Sequence, residues 1–350
     1  MIGYSFRHRR FLDLRHFWLV IVCVLVCAVV QLSAPSRSLA RTGVAIRVNP
    51  IWSLRVDYVE DLAFSWDGKY FVATSTAKDT EVWRVLDRKR VFVCPAGRSV
   101  AFSPDGRWLA VGQTDDSIRI YRTKTWAYNT SIHLELGVPT KLIFTADGRW
   151  LIGIADNGRG IHSWRTKTWQ EEWHETSPRT MPSFVISSNS GRIWTACGSA
   201  LRCYDLLTGA LLANVELSIQ KATAIELLNG SVLVGGNRGE LLSVNTVSGN
   251  TVSRRSEPYG SINAIAGCEK RSVVCIASFD SMQTPSDKSI TAHSVKGHGM
   301  LHFWDTSDWS PILSIATDSE GDRCLALTRD GKLLAVGSGS GAIRIWRIRS

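Results

Sequence analysis

His293, His298 and His302 stand close together in the chain, and three imidazoles that converge can hold a zinc ion. Their spacing does not require convergence. His302 belongs to an alternating strand, whereas His293 and His298 fall in a stretch rich in Ser, Asp, Lys and Gly, and no Asp or Cys is placed as a fourth ligand. No metal site is expected. Carboxylates are the other chemical candidates, since glycosidic hydrolysis needs two of them at a set separation. Asp67, Asp105, Asp147 and Asp330, however, recur at one place in successive copies of the same short sequence, which reads as turn formation. The chain has neither a Gly-x-Ser-x-Gly elbow nor a His-Glu-x-x-His pair. It reads as non-enzymatic and without a cofactor.

The recurring sequence sets the architecture. Its clearest copies are Ser103-Pro-Asp-Gly-Arg-Trp-Leu-Ala-Val-Gly112, Thr145-Ala-Asp-Gly-Arg-Trp-Leu-Ile-Gly-Ile154 and Thr328-Arg-Asp-Gly-Lys-Leu-Leu-Ala-Val-Gly337. Asp-Gly between alternating apolar runs is a hairpin signal, because glycine accepts the positive φ of a tight turn. Each copy leads to a strand ending in an aromatic residue, as in Ile118-Arg-Ile-Tyr121, Ile161-His-Ser-Trp164 and Ile343-Arg-Ile-Trp346. Weaker copies begin at Ser65, Asn189, Leu228 and Cys268 and lead to Trp83, Tyr204, Val244 and Trp304. A period near 40 residues points to propeller blades. The sequence therefore predicts an all-β fold: a seven-bladed β-propeller of four-stranded antiparallel blades, preceded by one hydrophobic N-terminal helix. The segment 44–48 is expected to supply the missing outer strand of the last blade, because the chain ends directly after that blade's third strand.

The Phe-Ser-Pro-Asp-Gly stretch at 102–106, the following Trp108-Leu-Ala-Val-Gly112 and the dipeptide Trp304-Asp305 resemble the WD40-repeat propeller family over residues 45–350. One repeat keeps Trp-Asp; others end in Trp83-Arg84, Tyr121-Arg122, Trp164-Arg165 or Trp346-Arg347, and the family's Gly-His pair ahead of the first strand is missing. The resemblance implies a binding platform for a protein or peptide, with stability resting on apolar packing between blades. An exported propeller enzyme, or a small-ligand binder using the channel mouth, is the alternative.

Residues 17–30 form an unbroken apolar run behind Arg7, Arg9, Arg10 and Arg15. The basic flank keeps the N-terminus cytoplasmic and sends the rest across. The run, extended to Leu32 and opened by Phe17 and Trp18, is short for a spanning helix. It suits either a secretory signal, cleaved near Ala40 after Ser38-Leu, or a retained single-pass anchor. The expected organisation is a signal or anchor over 1–33, a linker over 34–43 and the propeller over 44–350. Removing the six arginines and one acid of residues 1–45 leaves 35 basic and 30 acidic residues, a mild excess with no Lys/Arg run. A nucleic-acid role is disfavoured and a monomeric propeller is expected. Cys94, Cys197, Cys203, Cys268, Cys275 and Cys324 read as small buried side chains, although export permits disulfides.

Two features suggest a recognition face. The sixth unit carries an insertion over 279–299, including Phe279, Met282 and His298, that is either a recognition loop or plain disorder. Arg98, Lys141, Arg179, Lys221 and Arg323 fall at or near the entries of first strands on the same face. Together they form either a broken basic ring that attracts an acidic partner or scattered solvated charge.

Overall fold

The computed structural model describes residues 46–135, 137–155, 160–176, 183–187, 191–248, 250–256, 260–280, 298–317 and 321–349. These fold into seven four-stranded antiparallel sheets, the blades of a propeller. We number the blades by their first strands: Leu62–Phe64, Gly97–Phe102, Pro139–Phe144, Ser183–Ser187, Ala222–Leu228, Ser261–Cys268 and Asp322–Leu327. The described residues contain no α-helix, only a 3-10 turn at Glu269–Arg271 where the sixth unit has lost its Asp-Gly. The apolar run with Phe17, Trp18 and Leu32 lies outside the described residues, and within them no helix is long and apolar enough to cross a membrane.

In blade 7 the fourth strand is Arg47–Arg55, which pairs antiparallel with the last strand, Ala342–Arg349, from Arg47 opposite Arg349 to Arg55 opposite Ala342. The pairing strand thus starts later and runs further than the segment 44–48 read from the sequence; residues 44 and 45 lie outside the described residues. The insertion of blade 6 is also shorter than its sequence suggests. Strand Val273–Asp280 pairs with His298–Asp305, with Phe279 opposite Gly299, so the expected ends of the insertion are ladder residues. Residues 281–297, with Met282 and His293, lie outside the described residues.

The core is a ring of apolar layers between neighbouring blades. Trp164 of blade 3, for example, packs with Ile118, Ile120 and Ala110 of blade 2. Sheets twist and each buries both faces, so the strands alternate between the two neighbours rather than between core and water. All six described cysteines are buried and none forms a disulfide. Burial raises the thiols of Cys94, Cys203, Cys275 and Cys324, Cys94 to about 12, which keeps these four inert.

Four lower turns repeat one polar device. At Ser103 the hydroxyl donates to Asp105 Oδ1 at 2.6 Å and accepts from the Trp108 N–H at 2.9 Å, while the Arg107 N–H donates to the same carboxylate at 2.9 Å. Ser65–Asp67, Thr145–Asp147 and Thr328–Asp330 do the same at 2.6–2.8 Å. Desolvation alone would raise these carboxyls. The hydroxyl, the backbone N–H and the lysine or arginine two residues on together outweigh it, Lys69 foremost at Asp67, and hold Asp67, Asp105, Asp147 and Asp330 below the usual carboxylate range.

Candidate functional site

The first strands of all seven blades line a central channel of about 580 Å³. A second cavity, about 440 Å³, opens at its upper mouth, on the side where first strands begin, and is bounded by Val59, Glu60, Thr223, Asn263, Phe279 and Arg323. Every one of these positions comes from an entry segment or an adjacent strand, so the mouth is built by the ends of strands rather than by one motif.

Blade-to-blade links around the mouth draw on unlike side chains. Asp61, buried at 6 % exposure just before the first strand of blade 1, accepts the Val100 N–H of blade 2 at 3.2 Å and the Lys141 ammonium of blade 3 at 3.0 Å. Its Oδ1 also accepts the Leu62 N–H at 3.0 Å. Ser99 of blade 2 donates to the Pro139 carbonyl of blade 3 at 2.8 Å. Thr223 of blade 5 donates to the Ile262 carbonyl of blade 6 at 2.5 Å, and the Asn263 amide of blade 6 donates to the Asp322 carbonyl of blade 7 at 3.1 Å. Arg323 of blade 7 donates to the Tyr58 hydroxyl and lies over its ring, 4.8 Å from the centroid.

Charge in the channel is mixed. Burial would lower Lys141, but the charge and hydrogen bond of Asp61 outweigh it and hold the ammonium above its ordinary range. Glu226, in the first strand of blade 5, keeps part of its surface toward the lumen yet is hemmed in by protein on every side. Burial pushes its carboxyl up to about 7, against the pull of the Leu227 N–H at 3.2 Å and of Lys141. A carboxyl that titrates near neutrality inside a channel can take or give a proton at working pH.

The residues singled out from sequence scatter over this frame. Arg323 and Phe279 meet in the mouth cavity, and Lys141 lines the channel below it, already paired with Asp61. Arg98 and Lys221 sit at the upper entries of blades 2 and 5, outside the channel lining. Arg179, Met282, Phe17, Trp18 and Leu32 lie outside the described residues, and of His298 only the strand position is described. His302 is buried between strands, with Nε2 3.1 Å from the Ser278 hydroxyl and Nδ1 2.8 Å from that of Ser314; burial lowers its pKa. Sequence reasoning missed Asp61 and Glu226. Glu226 did leave a signal, a lone acid inside the apolar run Ala222-Thr-Ala-Ile-Glu-Leu-Leu228.

Two segments match the family model described as WD domain, G-beta repeat: residues 90–122 and 309–347. The first runs from the outer strand of blade 1 through the third strand of blade 2, and the second covers the same span from blade 6 into blade 7. No curated protein matches the chain.

Proposed function

We propose that this WD40-repeat propeller is a non-catalytic scaffold that holds a protein or peptide segment at its upper mouth. WD40 propellers act in general as interaction platforms, typically without catalysis. The observation that carries the placement is the contrast in composition: the mouth draws a different polar residue from each of several blades, whereas the lower turns repeat one. Repetition at equivalent positions serves folding, and the places freed from it are where a scaffold acquires a specific surface.

Arg323, exposed at the rim and steadied by Tyr58, is the natural contact for a partner carboxylate, with Arg98 and Lys221 supplying longer-range attraction on the same face. The partner that suits this set is an acidic peptide segment. The Arg47–Arg55 pairing supports a ring closed by the beginning of the chain, which makes the platform rigid. The basic flank of residues 17–30 supports export, with the propeller either anchored or released near Ala40.

The test is capture from native membranes by the full-length chain with a C-terminal tag. One stoichiometric protein partner is expected, lost when Arg98, Lys221 and Arg323 are reversed together to Glu and kept when Lys167, on a lower turn, is reversed. Equal capture by the two variants would remove the upper mouth from the argument.

A further inference from the structure

A cluster of two histidines and a glutamate lies on the third and fourth strands of blade 3, away from the channel lining. The third strand, Gly160–Arg165, pairs with the fourth, Glu171–Glu175, and His162 stands directly opposite His174. Opposed residues of an antiparallel pair project to the same face. Glu171 would ordinarily face the other way, being an odd number of positions from His174. A bulge between Ser163 and Trp164 changes this: the ladder resumes with Trp164 opposite Glu171, so Glu171 joins the face that carries His162, Trp164 and His174.

The three side chains converge. His162 Nδ1 is 2.6 Å from Glu171 Oε1, and His174 Nδ1 is 3.4 Å from Glu171 Oε2. One ligand atom from each residue lies within 4.8 Å of the other two. His162 is buried and stacked over Trp164 at 5.6 Å with the rings 3° from parallel, which fixes its orientation. His174 stacks on His162 at 5.6 Å and is exposed, as is much of Glu171, so the open side of the cluster faces solvent.

We propose that His162, Glu171 and His174 form a binding site for a divalent first-row transition ion of the zinc type. Bonds of about 2.0–2.1 Å in a tetrahedron place ligand atoms roughly 3.3 Å apart, and the present separations straddle that value. Only the exposed Glu171 carboxylate has to swing outward to admit the ion. Two imidazoles and one carboxylate suit zinc, nickel or copper and disfavour magnesium and calcium, which prefer all-oxygen shells. Without metal, the Nδ1–H groups can donate to the carboxylate; with metal bound, each neutral imidazole carries its proton on Nε2 and presents Nδ1 to the ion. Three protein ligands leave one tetrahedral position open for water or for an imidazole or carboxylate of a partner. The bulge alone does not create the site. Blade 1 has the same bulge, but Glu81, Val93 and Arg90 occupy the corresponding places and close an ion pair at 2.5 Å.

The experiment is calorimetric titration of the metal-free full-length chain with Zn²⁺ alone, with Mg²⁺ as the comparison ion. The visible spectrum with Co²⁺ reports inner-sphere tetrahedral coordination. One Zn²⁺ per chain is expected at micromolar affinity, with no Mg²⁺ bound. His174→Ala and Glu171→Gln, both exposed and both checked by thermal melting for an unaltered fold, should each weaken binding about tenfold or more. Absence of a stoichiometric site in the wild type overturns the proposal, and so does a site that both substitutions leave unchanged. This outcome is independent of partner capture at the upper mouth.

Discussion

The lower and upper faces of the propeller are built from the same seven blades by opposite rules. Below, four turns carry one hydroxyl–carboxylate device that satisfies donors within its own blade. Above, blade is tied to blade by links made from unlike side chains: a carboxylate to an ammonium, a serine or threonine hydroxyl or an asparagine amide to the next blade's entry carbonyl, and a guanidinium to a phenol. The lower device closes a hairpin and is needed wherever that hairpin occurs. The upper links hold unlike neighbours together around a cavity, and nothing in the blade geometry demands that they match. Uniformity therefore marks the folding unit, and divergence marks the surface available for recognition.

The largest break in this contrast is expected at two glycines. Gly341, in the upper turn of blade 7, has φ +81°, and an added Cβ would overlap the Val56 carbonyl; Gly106, in the lower turn of blade 2, has φ +68° and open space around that position. Gly341→Ala should cost roughly 3–5 kcal/mol, strain plus collision, whereas Gly106→Ala should cost roughly 1 kcal/mol of backbone strain alone. Denaturant midpoints of the two variants measure the difference, and equal costs would show that the upper ties are not tighter than the lower ones. Next comes Asp61→Ala, which strands the Lys141 charge and the Val100 N–H; a loss of about 2–4 kcal/mol is expected by urea unfolding.

Proton linkage separates the channel from the lower turns by sign. Glu226 has a native pKa above its ordinary value, so the folded state holds its proton where the unfolded state has released it. The stability this adds is full below about pH 4.5 and is lost as pH rises to about 7. Glu226→Gln should therefore raise stability at pH 8 by roughly 1–3 kcal/mol and change little at pH 4.5. The lower aspartates run the other way. Their pKa values are lowered, so their contribution is present above the unfolded value and is lost as pH falls through the folded one. The smallest effects are the single-turn substitutions: Asp67→Ala, Asp105→Ala, Asp147→Ala and Asp330→Ala should each cost about 1 kcal/mol and resemble one another. A wide spread among the four, read from thermal midpoints, would undo the claim of a common device.

Legibility in the sequence follows the same division. The Asp-Gly turns, the alternation of the third strands and the count of seven units could be read because each is encoded within one blade by neighbours a few residues apart. Phe279 and Arg323 were reachable for a related reason, since strand ends and insertions are placed by topology. Asp61 carries no comparable mark. It sits beside Glu60 in what reads as an ordinary entry segment, and its partners Val100 and Lys141 belong to two other blades. The histidines show the limit most directly. His293, His298 and His302 are close in the chain, yet His302 is engaged with two serines between strands. His162 and His174 are twelve residues apart, and only the register and the bulge bring them to one face with Glu171.

By itself the sequence determined the class of fold, the number of blades and the position of each lower turn, since hairpin chemistry and strand alternation act over short separations. The tertiary structure decided which first-strand residues meet across the channel, where the last blade finds its outer strand, how far Glu226 is shifted, and which histidines stand together. The first three depend on contacts between strands far apart in the chain, and the last on a one-residue change of register within blade 3; no local run of residues displays either.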